Sequence, residues 1–398
     1  MSTRIKKLNQ YVQIMLRFLL PFLHFLVEKP LGKRLYGGKR IWLFSERGTD
    51  AKDNGLYMYR HVRRMHPEIK AYFVITKDSP YRKNFGSEDQ LVFRDSWKHR
   101  LLFYGAECGI STHIMGDAPD FDFHYFMRTR RHVDLVGNKR VMLQHGITKD
   151  NIRGLHYDVC GVDLLFCGAK PEYDFVQAHF GYPHEKVQYT GLARYDGLHH
   201  IRCKRQILLM PTWRHNLSTR VNSPEESFMA SAYYRHWQGL LQNPRLGEMA
   251  RKRGLEIVFY PHDEVQPFIA LFDASESGAI IADHAHYDVQ TLLKESMLLI
   301  TDFSSVFFDF AYMQKPVLYY QFDEAEYRAQ NYKVGYFDYR RDGFGEVVTE
   351  EDALLTLLEQ YLENGCQLKE QYRKRIEGFF PLHDEKNCER IYAEISKI

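Results

Sequence analysis

Short apolar runs recur along this chain. Most end in a polar or glycine-bearing turn, and stretches with apolar positions three and four apart follow. Runs of four to six residues read as buried strands, and the three-and-four spacing reads as helix. In the first half the pattern predicts strands at 40–45, 71–76, 91–93, 109–112, 139–143 and 164–167. Helices are predicted at 56–65, 97–108 and 171–180. In the second half it predicts strands at 206–210, 256–260, 279–282, 298–301 and 317–320. Helices are predicted at 227–241 and 289–297, and a further one carries Val306, Phe307, Phe310 and Ala311 before Lys315-Pro316 ends it. Residues 350–398 read as two or three closing helices. Strands alternating with helices predict an α/β protein with mostly parallel sheets. The short, polar, basic stretch 199–205 (HHIRCKR) marks a boundary between two halves.

In parallel sheets, ligand groups lie just past the C-terminal ends of the strands. Four such places carry polar residues here. They are Gln144-His145-Gly146, with Lys149 and Asp150 beyond; Pro211-Thr212-Trp213-Arg214; Pro261-His262; and Asp302 with Ser304 and Ser305. Gly146 would let a substrate approach the backbone closely. The last place opens a helix, whose unpaired N–H groups and partial positive charge suit a phosphate. Ser and Asp also cap helices with no ligand involved, so any one of these places has a structural explanation. Four in two α/β halves are harder to explain as caps. Arg194, in YTGLARYDGL, could reach an anion through its planar fork or sit in a surface loop.

The first thirty residues depart from this pattern. Leu8, Val12, Met15, Leu19, Phe22 and Leu26 form an apolar stripe at helical spacing. Arg4, Lys6 and Lys7 precede it, and Lys29, Lys33 and Arg34 follow. Arg17 and Pro21 interrupt an apolar segment already short for a membrane span. No small-residue cleavage site follows, which speaks against a secretory signal. The expectation is a basic amphipathic helix at a membrane interface; the alternative is a helix that covers the protein's own core.

Composition adds limits. With 398 residues, 44% hydrophobic and 26% charged, a packed globular protein of two domains is expected. A net charge of +3 is too mild to point to nucleic acid. Six cysteines without a C-x-x-C pair fit a reducing compartment. Asp283, His284, His286 and Asp288 form the one dense His/Asp cluster, read as a polar loop. No D-x-D motif accompanies the strand-end residues, so the default mechanism needs no metal or other cofactor.

LQHG, GLARYD, PTWR, the strand-terminal His262 and TDFSSVFFDF followed by KPVLYY occur in this order. Together they resemble the CDP-glycerol glycerophosphotransferase family, the teichoic-acid primases and polymerases. The resemblance covers roughly residues 40–345 and rests on the combination. It implies a GT-B arrangement, two Rossmann-like domains facing across a cleft. The division would be a membrane-interface helix at 1–30, an acceptor domain at 31–200 and a CDP-donor domain at 201–398. It implies transfer of glycerol phosphate, or ribitol phosphate in relatives, from a CDP-activated donor to a hydroxyl, with CMP leaving. The acceptor would be a lipid-linked saccharide or polyol phosphate at the cytoplasmic face of the membrane.

By the same resemblance His145 would be the general base and His262 would lie beside the donor phosphates. Arg194, Pro211, Thr212, Arg214, Ser304 and Ser305 would bind substrate, with Asp309 toward donor hydroxyls and Gln144, Gly146, Ile147 and Thr148 around the base. Gln144 stands where many members have Trp, Ile147-Thr148 replaces a common Thr-Pro, and Asp263 stands where Pro is usual. Two other readings stay open: a glycosyltransferase using a nucleotide sugar, and an inactive membrane-bound scaffold.

Overall fold

The computed structural model describes the backbone of residues 3–131, 133–217, 224–330 and 333–398, and side chains within these from residue 17 onward, except 130 and 131. The chain forms two compact units. The first comprises Met1–His145, Arg153–Asp196 and Asp384–Ile398. The second comprises Gly146–Ile152 and Gly197–His383.

The first unit is built on a seven-stranded sheet of β1 (Ile41–Ser45), β2 (Lys70–Ile75), β3 (Leu91–Phe93), β4 (Cys108–Ser111), β5 (Lys139–Met142), β6 (Leu164–Cys167) and β7 (Val187–Tyr189). The order is β3-β2-β1-β4-β5-β6-β7, parallel throughout. Every residue of β1 is buried, and its two faces feed two cores. Trp42 and Phe44 join Tyr59, Phe73 and Ile110 on one side; Ile41 and Leu43 join Leu102, Phe103 and Tyr104 on the other. Burial on both faces explains why the strands read as continuous apolar runs.

The second unit holds six strands: β8 (Gln206–Leu209), β9 (Glu256–Phe259), β10 (Ile280–Ile281), β11 (Leu298–Thr301), β12 (Val317–Tyr320) and β13 (Gly345–Val348). The order is β10-β9-β8-β11-β12-β13, again parallel. Its core centres on Leu209, Trp237, Phe259, Ile300, Tyr320 and Leu358. In both sheets the order in which strands are added reverses beside the first strand, giving a switch point between β1 and β4 and another between β8 and β11.

Several features differ from the sequence expectation. The edge strands β7 and β13 carry no strong apolar run and were not expected. The helix expected at 227–241 is two, Glu225–Met229 and Ala232–Leu241, because Ser231 accepts from the Tyr234 N–H and starts a new one. The last helix, Asn387–Ile395, belongs to the first unit rather than to a C-terminal domain. Cys388, Ile391 and Ile395 enter the core beside Trp42, and the Asp196 carboxylate accepts from the N–H groups of Asn387 and Cys388. Residues 146–152 likewise group with the second unit, not with the strand they follow.

The N-terminal helix runs from Thr3 to Tyr36. One side covers the first unit: Phe18 meets Phe126, Phe25 meets Tyr104, and the buried Glu28 lies 3.7 Å from Arg100. The other side leaves Leu19, Leu20, Phe22, Leu23, Leu26 and Val27 between 41% and 60% exposed. One face thus covers the protein's own core, and the other is an exposed apolar ridge. The side chains of Arg4, Lys6, Lys7, Leu8, Val12 and Met15 lie outside the described residues. No described helix is long and apolar enough to cross a membrane.

Candidate functional site

In the first unit His145 stands three residues past the end of β5 and is exposed. The turn that presents it is unusual. Gln144 has a φ of +57°, in the left-handed region that a non-glycine residue enters only when its surroundings hold it there. They do. Gln144 is 1% exposed, its side-chain amide donates to the Phe166 carbonyl and to Glu172, each at 3.2 Å, and its own carbonyl accepts from Asn54 at 2.8 Å. Gln144 thus points inward and braces the turn, where the resemblance implied a substrate contact.

Arg194 completes the brace. It is 5% exposed; its guanidinium donates to Asp53 and to the His145 carbonyl, both at 2.8 Å. Its geometry therefore holds the histidine's backbone, where the sequence suggested an anion contact. Asp53 caps the helix Asn54–Met65, and Glu46 accepts from the backbone N–H groups of Lys52, Asp53 and Leu56. Burial and the nearby Asp53 push the Glu46 carboxyl up to about 8, against those donors.

His113 was not singled out in the sequence. It follows β4, and its ring stacks on His145 with centroids 4.8 Å apart and planes 19° apart. The signal was present: Thr112 and His113 follow an apolar run just as Gln144 and His145 do.

In the second unit the expected residues gather at the ends of the adjacent strands β9, β8 and β11. Past β8, Pro211 and Thr212 are buried, and the Thr212 N–H donates to Asp302 at 2.8 Å. Past β9, His262 is half-buried with its ring 6.0 Å from that of Trp213. The Glu264 N–H donates to His262 Nδ1 at 3.2 Å. Past β11, Asp302 is fully buried, and Ser304 and Ser305 precede the helix Val306–Tyr312. Ser305 makes no capping bond with its side chain. Asp302 does not cap that helix either; its carboxylate accepts from Thr212 and Phe303. Asp309 is 4% exposed, one turn into the helix. Gly146, Ile147 and Thr148 are buried.

Arg214, expected on a substrate, lies at the centre of this structure instead. It is 2% exposed. Nε and Nη2 donate to the two oxygens of Asp323 at 2.7 and 2.9 Å, and Nη1 is 2.9 Å from Asp302. The rings of Tyr233, Phe303 and Tyr327 surround the guanidinium. Burial works against its charge, but Asp302 and Asp323 raise its pKa on balance. Burial raises the Asp302 carboxyl, with Arg214 opposing. Lys149 and Asp150, both buried, and the half-buried Arg328 form a second charge chain, in which burial lowers the Lys149 pKa against the pull of Asp150.

Asp283 and His286 pair with each other on an exposed loop. Among the described residues no three His, Cys, Asp or Glu side chains gather as a metal site would require. Five of the six cysteines are buried and free; Cys203 is exposed.

Two α/β units, each built on a parallel sheet with polar groups past its strand ends, make a GT-B-like fold. The chain belongs to the CDP-glycerol:poly(glycerophosphate) glycerophosphotransferase family, which it matches over residues 31–397. It is 32% identical over 374 residues to the minor teichoic acid biosynthesis protein GgaB of Bacillus subtilis, covering 92% of this chain but 40% of that protein. It is 24% identical over 277 residues to the teichoic acid glycerol-phosphate transferase of Staphylococcus aureus, covering 67% of this chain and 66% of that one. A solved structure of the wall teichoic acid polymerase TagF has the same fold, with a TM-score of 0.70 at 16% identity over 98% of both chains.

Proposed function

We propose that this chain transfers glycerol phosphate, or a related polyol phosphate, from a CDP-activated donor to a hydroxyl of a lipid-linked or polymeric cell-wall or capsule acceptor, releasing CMP. The observation that carries the reading is an exposed imidazole on a braced turn, His145, in a chain of this family. A hydroxyl is a poor nucleophile until its proton is removed, and a neutral imidazole can remove it near pH 7. The acceptor oxygen attacks the donor's β-phosphorus, and charge develops on the departing CMP. Fixed donors stabilise that charge best. Ser304, Ser305, the Thr212 hydroxyl and His262 are the groups assigned to this role. Arg214 and Arg194 act indirectly, the first by holding Asp302 and through it the loop at β8 and β11, the second by holding the His145 backbone.

The test is incubation of the full chain with CDP-glycerol, CDP-ribitol and lipid-linked acceptors, with mass analysis of products. CMP release with a mass gain of one or more polyol phosphates is expected. UDP or CMP release from sugar nucleotides instead would make it a glycosyltransferase. No turnover of any donor would leave the scaffold reading.

We also place the enzyme peripherally on the cytoplasmic membrane face, where lipid-linked acceptors lie. Support comes from the exposed ridge Leu19–Val27 and the basic residues on either side of it. Half-exposed Leu and Phe side chains entering the interface would contribute about 1 kcal/mol each, and nearby Lys or Arg about 1 kcal/mol each on anionic lipid.

A further inference from the structure

We propose that His113 is a positioning residue for His145, setting the plane of the imidazole by face-to-face stacking. The proposal rests on the reading of His145 as the base and adds a residue to it. Strands β4 and β5 are neighbours in register, Ser111 opposite Met142. The two histidines leave these paired ends two and three residues later, so their meeting follows from the sheet.

Both ring nitrogens of His113 are engaged. The Arg47 Nε–H, which can only donate, lies 3.1 Å from Nε2. Nε2 therefore accepts, the ring proton is on Nδ1, and it donates to Thr112 Oγ1 at 2.9 Å. Thr112 is fully buried. The turn is tight: the Gly116 N–H donates back to the His113 carbonyl at 3.1 Å, and a Cβ at Gly116 would collide with the Glu46 carbonyl. Burial, with His145 and Arg47 beside it, holds the His113 pKa down to about 3. A neutral, doubly anchored ring is a fixed platform, and it does not repel an imidazolium as His145 takes up the acceptor proton. The exposed His145 ring gains one defined face.

The experiment uses the full chain and three variants, His113→Ala, His113→Asn and His113→Phe, beside His145→Ala. Misplacing a base by an ångström costs roughly 10²-fold, so His113→Ala and His113→Asn are expected to lower kcat by roughly ten- to a hundredfold, with donor KM within twofold. His113→Phe, which keeps the ring face but neither anchor, should recover most of that loss. Adding His113→Ala to His145→Ala should cost nothing more. Wild-type kcat in His113→Ala, a Phe variant as poor as Ala, or a rise in KM at constant kcat would each overturn the proposal. If His145→Ala itself keeps its turnover, the base reading has failed instead. A readout without activity separates the two: the His145 ring proton resonances should lose their ring-current shift in His113→Ala and His113→Asn but keep it in His113→Phe. An unchanged resonance in His113→Ala shows that no stack exists.

Discussion

Replacing Arg214 with Ala should cost more stability than any other single change at the strand ends. The substitution removes one cation and leaves two carboxylates, Asp302 at 0% and Asp323 at 9% exposure, facing each other across the space it held. Breaking a buried pair by deleting one partner costs about 3–5 kcal/mol, because the remaining charge is left uncompensated. The three ring faces around the guanidinium lose their contacts as well. For a cooperative unit of roughly 200 residues, 1 kcal/mol moves the melting temperature by about 2–4 °C. The loss should therefore be on the order of 10 °C in calorimetry. Arg214→Lys keeps the charge but cannot reach both carboxylates with a planar fork, so it should fall between.

The pH dependence carries a sign that tests the cause. Without Arg214, burial and the facing Asp323 raise the folded pKa of Asp302 further above its unfolded value, opposed only by the Thr212 and Phe303 N–H donors. A group so shifted favours the folded state fully only below its unfolded pKa, and that stability is lost as pH rises through the folded one. The deficit of Arg214→Ala against wild type should shrink as pH falls from about 7 toward about 4, the range above an ordinary Asp pKa. A variant that melts like wild type, or a deficit that does not change with pH, would refute the claim that uncompensated buried charge is the cost.

Three further outcomes are expected. His145→Ala should lower turnover by roughly 10² to 10⁴ with little change in donor affinity, measured as CMP release beside calorimetric donor binding. Replacing Ser304 and Ser305 together with Ala should weaken CDP-polyol binding by about 1.5–3 kcal/mol per lost charged hydrogen bond; an unchanged Kd would remove both serines from the donor site. Changing Leu19, Phe22, Leu23 and Leu26 to Gln should abolish co-sedimentation with anionic vesicles and leave folding intact, whereas high salt should release the unaltered protein only partly, since salt screens the charges and not the apolar ridge. Deleting the whole helix is a poorer test, because Phe18, Phe25 and Glu28 cover the first unit and their loss would expose its core.

The interior strands were legible because burial on both faces demands apolar runs, and β6, β11 and β12 fall at the expected residues. So did the places where polar groups follow them, since a parallel sheet delivers side chains at its C-terminal edge. The amphipathic character of the N-terminal helix was also visible, but not that one face covers Phe126 and Tyr104 while another stays bare.

What a polar residue does at a strand end was settled only by tertiary structure. The resemblance implies substrate contacts at Gln144, Arg194 and Arg214, and each is turned inward onto partners from distant segments: Phe166 and Glu172, Asp53, Asp302 and Asp323. The same holds for His113, whose partner is 32 residues along the chain, and for the helix Asn387–Ile395, seated by Asp196. Local periodicity reports how a segment shares its own hydrogen bonds and which face is apolar. It holds no record of the long-range pairs that decide whether a buried charge is satisfied by the protein or left for a ligand, because those pairs exist only once the sheet has brought the strand ends together.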